Sequence, residues 1–148
     1  MRFSSEADVA DLVGRVEACT FPLPDWHHDV HLAVLTWYLA RHPRAEATRL
    51  MRSTIQRFNA HHGLLMTRET GYHETLTLAW IALVHDFLAK NGRGKTLVEK
   101  VEAVTGAFRD KLLLRRHYTR ERIMSWEARL DWVEPDRRPL VWEEAWGG

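Results

Sequence analysis

The chain has 148 residues, of which 45% are hydrophobic and 28% charged, and its 21 basic and 20 acidic residues leave a formal net charge of +1. That length suits one domain with a substantial core, and the near-neutral balance provides no global field for nucleic acid or an anionic membrane. Cys19 is the only cysteine, which excludes a disulfide framework within the chain, a multi-cysteine zinc site and an iron–sulfur cluster.

The N-terminal residues lack a charged segment followed by an apolar one, and no apolar run approaches the roughly 20 residues needed to span a bilayer. The expectation is therefore a cytoplasmic protein of bacterial type with no membrane partner.

In chain order, Val9, Leu12, Val13 and Val16 repeat at helical spacing and predict a first helix over 5–19, capped by Ser4 or Ser5. Pro22 and Pro24 stop it. Asp25 is then the expected cap of a second helix over 26–41, which His42-Pro43 ends. A third helix is expected over 44–62, with Ala47, Met51, Ile55 and Phe58 on one face and Gly63 just beyond its end.

A polar linker over 64–71 leads to a fourth helix over 72–90, closed by Asn91-Gly92. Thr96-Leu-Val-Glu99 is a capping box that starts a fifth helix at Leu97. Beyond Leu114 the pattern breaks into two short helices capped by Thr119 and Ser125, and then into a segment interrupted by Pro135 and Pro139. With no strand of period-two alternation, the class is all-α: an up-and-down bundle over 1–114 with a C-terminal arm over 115–148 wrapped on the same domain. Four of the seven tryptophans, Trp126, Trp132, Trp142 and Trp146, lie in that arm. They are expected to anchor it and to offer surface for a homodimer.

The nine histidines carry the functional signal. Short connections favour antiparallel neighbours, which brings the start of helix two, the end of helix three, the start of helix four and the end of helix five to one pole. His27, His28, His31, His61, His62, His73 and His117 all fall there, with Asp29 and Glu74. Residues three and four apart on a helix lie about 60° and about 40° apart around its axis, whereas neighbours lie about 100° apart. His31 therefore shares a face with His27 or with His28, and one of that adjacent pair stands aside. Imidazole is a common metal ligand, so clustered histidines and carboxylates at one pole make a candidate metal site.

The expected ligands are His28, His31 and His73, with His62, holding a divalent transition metal: Zn, Fe, Ni or Cu. Glu74 would be a further ligand or the general base on metal-bound water, and Tyr118 a proton donor. Arg122 and Arg129 return to the same pole along the arm and would bind a small anionic or polar substrate through their planar forks. The resulting expectation is a small metal-dependent enzyme, a hydrolase or an oxidoreductase. A noncatalytic metal sensor or carrier would use the same ligands, and a helical interaction module would need no metal. The basic run of the arm lacks the aromatic interleaving of a nucleic-acid platform.

The HD dipeptide His85-Asp86 evokes the metal-dependent HD-domain phosphohydrolases, but His85 stands about 18 Å of helical rise from His73. The three-histidine bundles of the DinB-like superfamily resemble the chain in architecture only, since they carry a late His-x3-His pair. A closer pattern runs through Trp26-His-His28-Asp-Val-His31-Leu32, Arg57-Phe-Asn59-Ala-His-His62-Gly63, Gly71-Tyr-His73-Glu-Thr75 and Tyr118-Thr-Arg-Glu-Arg122. It resembles a group of short uncharacterised bacterial proteins with an aromatic-x-His-x-x-His-Leu motif and a later Gly-Tyr-His-Glu-Thr. The resemblance spans most of 20–140 and implies His28 rather than His27, and His62 rather than His61, as site members. It implies no activity.

Overall fold

The computed structural model describes residues 3–143, and those residues are all-helical. The helices are α1 (Glu6–Glu17), α2 (His28–Arg41), α3 (Arg44–His61), α4 (Glu74–Asn91), α5 (Leu97–Ala107), α6 (Arg120–Ile123) and α7 (Trp126–Leu130). Single 3₁₀ turns occupy Leu23–Asp25 and Leu113–Arg116. Trp146, expected among the anchors of the arm, lies outside the described residues.

Local chemistry sets most boundaries where the pattern places them. Ser5 accepts from the Asp8 amide at the start of α1, Thr96 and Glu99 form a reciprocal capping box on α5, and Thr119 and Ser125 cap the two short helices. Three boundaries shift by two residues. The first helix ends at Glu17, because Cys19 takes φ 61° and the amides of Thr20 and Phe21 turn back to the Arg15 carbonyl. Asp25 does not cap α2: it closes the 3₁₀ turn, and His27 takes the cap position. The fourth helix starts at Glu74, because the His73 side chain caps it from outside.

Helix α2 is buried along most of its length through Val30, Leu32, Ala33, Val34, Leu35, Thr36 and Tyr38. That wide apolar surface makes it the central helix, packed against α1, α3 and α5. Helix α4 packs against α3, α5 and α7, so the arm is laid along it. The arm's Trp142 is buried, with its ring 5.0 Å from those of both Phe87 and Phe108. Among the described residues no helix is long and apolar enough to cross a membrane.

Candidate functional site

A partly enclosed cavity of about 420 Å³ opens between α2, α3 and the first turns of α4. Its wall is mostly apolar, with Trp26, Leu32, Leu35, Ile55, Leu76 and Trp80 among its side chains. Volume and lining both match the usual small-molecule site, a largely apolar hollow with a few polar groups. His28, His31 and His73 all reach it, so the pole does gather those three.

His31 is the most perturbed of them. Burial holds its imidazole at about pKa 4, the neighbouring His28 pushes the same way, and Asp29 opposes them. At neutral pH the ring is therefore uncharged, with one nitrogen donating and one accepting. It stacks 3.9 Å from Trp26, which lies 4.4 Å from Phe58, which in turn lies 4.3 Å from His62. His62 continues this series of ring contacts to His61, 5.0 Å away, and its Nε2 is buried without a hydrogen-bond partner among the described residues. His28 reads differently. Its Nε2 lies 2.7 Å from the Phe108 carbonyl, an acceptor, so this nitrogen donates and ties α2 to the end of α5.

The polar wall also includes Tyr72, Thr77, Lys111 and Asn59, the last of which the sequence reading passed over. Asn59 is 8% exposed, it lines the cavity, and its Oδ1 has no hydrogen-bond partner among the described residues. Leaving such an atom unpaired costs about 1–3 kcal/mol, and groups of this kind call for an explanation. A signal for it existed: Asn59 follows Met51 and Ile55 on the apolar stripe of α3, where an amide is out of place.

His73 is committed to structure at both nitrogens. Nδ1 accepts from the Leu76 amide at 3.1 Å and caps α4, while Nε2 donates to the Ile123 carbonyl at 2.8 Å. This pairing fixes a neutral tautomer, and burial holds its pKa below the ordinary histidine value. A ligand role for His73 would break both bonds. Glu74 is equally engaged. Arg52 grips it through a two-pronged pair at 2.8 and 3.1 Å, and the Tyr72 hydroxyl donates to it. Burial opposes ionisation, but these bonds outweigh it and keep the carboxyl below its usual range. A carboxylate so held is a weak base, and it faces a guanidinium rather than the cavity.

The arm residues also serve the fold. The Tyr118 hydroxyl, fully buried, donates to the Val133 carbonyl at 2.7 Å, and burial raises its pKa. Arg122 donates to the Glu134 carbonyl. Arg129 is buried and donates to the carbonyls of Thr70, Gly71 and Tyr72, clamping the linker ahead of α4. His117 is buried, and its Nδ1 lies 2.9 Å from the Pro139 carbonyl within the arm. The substrate-binding roles expected of Arg122 and Arg129, and the proton-donor role of Tyr118, would therefore each displace a main-chain contact. Asp86, of the His85-Asp86 dipeptide, pairs with Lys90 and accepts from the Trp142 amide.

Among the described residues no three histidine, cysteine or carboxylate side chains are arranged to hold one metal ion. Comparison with protein-family models, curated proteins and solved structures gives no match to this chain.

Proposed function

We propose that the protein binds a small, largely apolar molecule in the cavity between α2, α3 and α4, with Asn59 and uncharged His31 meeting its polar group. The observation that carries this reading is the unpaired Asn59 amide oxygen in the wall of an otherwise apolar hollow. An amide and a neutral imidazole each donate and accept, so together they suit a hydroxyl or an amide on the ligand rather than a fixed charge. With its pKa near 4, His31 is matched to hydrogen bonding rather than to proton abstraction at neutral pH.

Calorimetric titration with β-naphthol tests the reading, since its fused rings suit the apolar wall and its hydroxyl both donates and accepts. Saturable binding at one site is expected. Leu76→Trp, which fills the hollow, should abolish it, and Asn59→Leu should weaken it about tenfold, the worth of one hydrogen bond. No saturable heat with the wild-type protein would contradict the proposal. So would unchanged affinity in a folded Leu76→Trp variant.

Metal-dependent catalysis at His28, His31, His62 and His73 is a separate proposal, supported by the convergence of His28, His31 and His73 on one cavity. It requires His73 to release both the Leu76 amide and the Ile123 carbonyl. Metal analysis of untagged protein tests it. Stoichiometric transition metal that is lost in His31→Ala would support it, and metal-free protein that still binds β-naphthol would leave the apolar-ligand reading in its place. A homodimer is likewise a proposal, for sedimentation to test.

A further inference from the structure

The charges in the lining of the cavity are one-sided. Among its lining residues there is no aspartate, glutamate or arginine, and Lys111 is the only side chain with a permanent charge. Lys111 is exposed, as is its neighbour Leu112, which places this pair at the mouth rather than the floor. Asp110, the acid beside it in sequence, uses its Oδ1 to accept from the Leu112 amide and so closes the turn. No salt bridge occupies Lys111 among the described residues. The stretch that carries it is held over the cavity by the His28 bond to the Phe108 carbonyl.

Two helix ends add to the same sign. α2 begins at His28 and α4 at Glu74, and residues of both first turns line the cavity. Helix N-termini carry a positive partial charge that favours anions nearby. Each first turn also carries an acid: Glu74 of α4 is paired with Arg52, and Asp29 of α2, which acts on His31, is not among the lining residues. The independent sign of a ligand is Asn59, more than nine-tenths buried, with its amide oxygen unpaired.

We infer that the ligand is an amphipathic monocarboxylate: its apolar body fills the cavity, a hydroxyl or amide on that body meets Asn59 and His31, and its carboxylate meets Lys111 at the mouth. The inference rests on the apolar-ligand reading above and adds the charge. The deep wall offers a neutral amide and a neutral imidazole, so a carboxylate there would lack a counter-ion, whereas at the mouth it keeps part of its water and gains one. A cationic ligand finds no acid to pair with among the lining residues. An aliphatic chain and a single aromatic ring both satisfy this chemistry, and the test separates them.

Octanoate and octanol form one probe pair, hydrocinnamate and hydrocinnamyl alcohol the other, each differing in the carboxylate alone. Affinities are measured by calorimetry near neutral pH and low ionic strength on the full chain and on Lys111→Ala and Lys111→Arg. For at least one pair, the acid-to-alcohol preference should fall about two- to fivefold in Lys111→Ala, persist in Lys111→Arg, and shrink in added salt. The alcohol's own affinity should not move. Whichever pair shows this identifies the body as aliphatic or aromatic. Binding of acid and alcohol with a ratio that Lys111→Ala leaves unchanged overturns the carboxylate assignment and leaves the cavity reading standing. Failure of all four probes and of β-naphthol overturns both. Because Lys111 is exposed and forms no salt bridge among the described residues, an unchanged melting temperature should accompany both variants, and a lost fold in Lys111→Ala would count against its placement at a solvent-facing mouth.

Discussion

At the scale of single residues, histidines that look alike in sequence divide into different physical types. His31 is uncharged and carries its polar atoms at a cavity, whereas His73 spends both nitrogens on the backbone at Leu76 and Ile123. This division predicts opposite mutational signatures. His73→Ala removes a helix cap and strands a buried carbonyl, which should cost about 2 kcal/mol in urea denaturation. Ligand affinity in the surviving folded protein should change little. Asn59→Leu should do the reverse, weakening β-naphthol binding while raising the melting temperature, because an apolar side chain of similar size replaces an unpaired amide. A fall of several degrees in Asn59→Leu would show that the amide has a structural partner and would remove the reason for assigning it to a ligand. Residue type and spacing made the histidine group legible in the sequence. They could not reveal where each imidazole nitrogen finds its partner, since the Ile123 carbonyl comes from a segment 50 residues away.

At the scale of elements, the string from Gly71 to Thr75 is where signature and architecture coincide. Gly71 has φ 86°, and a Cβ there would stand 2.7 Å from the Leu65 carbonyl oxygen, so only glycine fits. Tyr72 and Arg52 hold Glu74, His73 caps the helix, and Thr75 donates to the Asp131 carbonyl while accepting from the Val133 amide. Arg129 then gathers the carbonyls of residues 70–72. Every member of the string joins α4 to the linker, to α3 or to the arm, which accounts for its composition without a reacting group. Arg129 should accordingly behave as a clamp. Arg129→Met should lower stability by about 1–3 kcal/mol through the buried carbonyls it leaves unpaired, and limited proteolysis should cut first within 64–71. Equal protease resistance in the variant would show that the linker is held by other means. Helix caps and apolar periodicity were open to sequence reading because they are local, as at Ser5, Thr96, Thr119 and Ser125. Arg129 and Arg122 look like a solvated or substrate-binding series until the chain folds, because their acceptors are main-chain carbonyls with no sequence signature.

At the scale of the whole molecule, the buried histidines tie stability to pH. His31, His73 and His117 all have folded pKa values below the ordinary 6.5, with burial as the leading cause. The unfolded chain therefore binds more protons than the folded one as pH falls below 6.5, so the stabilising contribution is complete above that value and is lost on acidification. For His31 the loss extends from 6.5 down to about 4. Urea midpoints should drop steadily across that window, and His31→Gln should flatten the slope without removing it, since His73 and His117 still titrate. A stability flat in pH would mean that these imidazoles are solvated. The cavity itself is tested by chemical-shift mapping with NMR. On titration with β-naphthol, the methyl groups of Met51, Ile55 and Leu76, the indoles of Trp26 and Trp80, and the Asn59 side-chain amide should move together and saturate with one affinity. Shifts confined to the second hollow, beside His85, Pro139 and Val141, or no saturable shifts at all, would contradict the assignment of this cavity as the binding site.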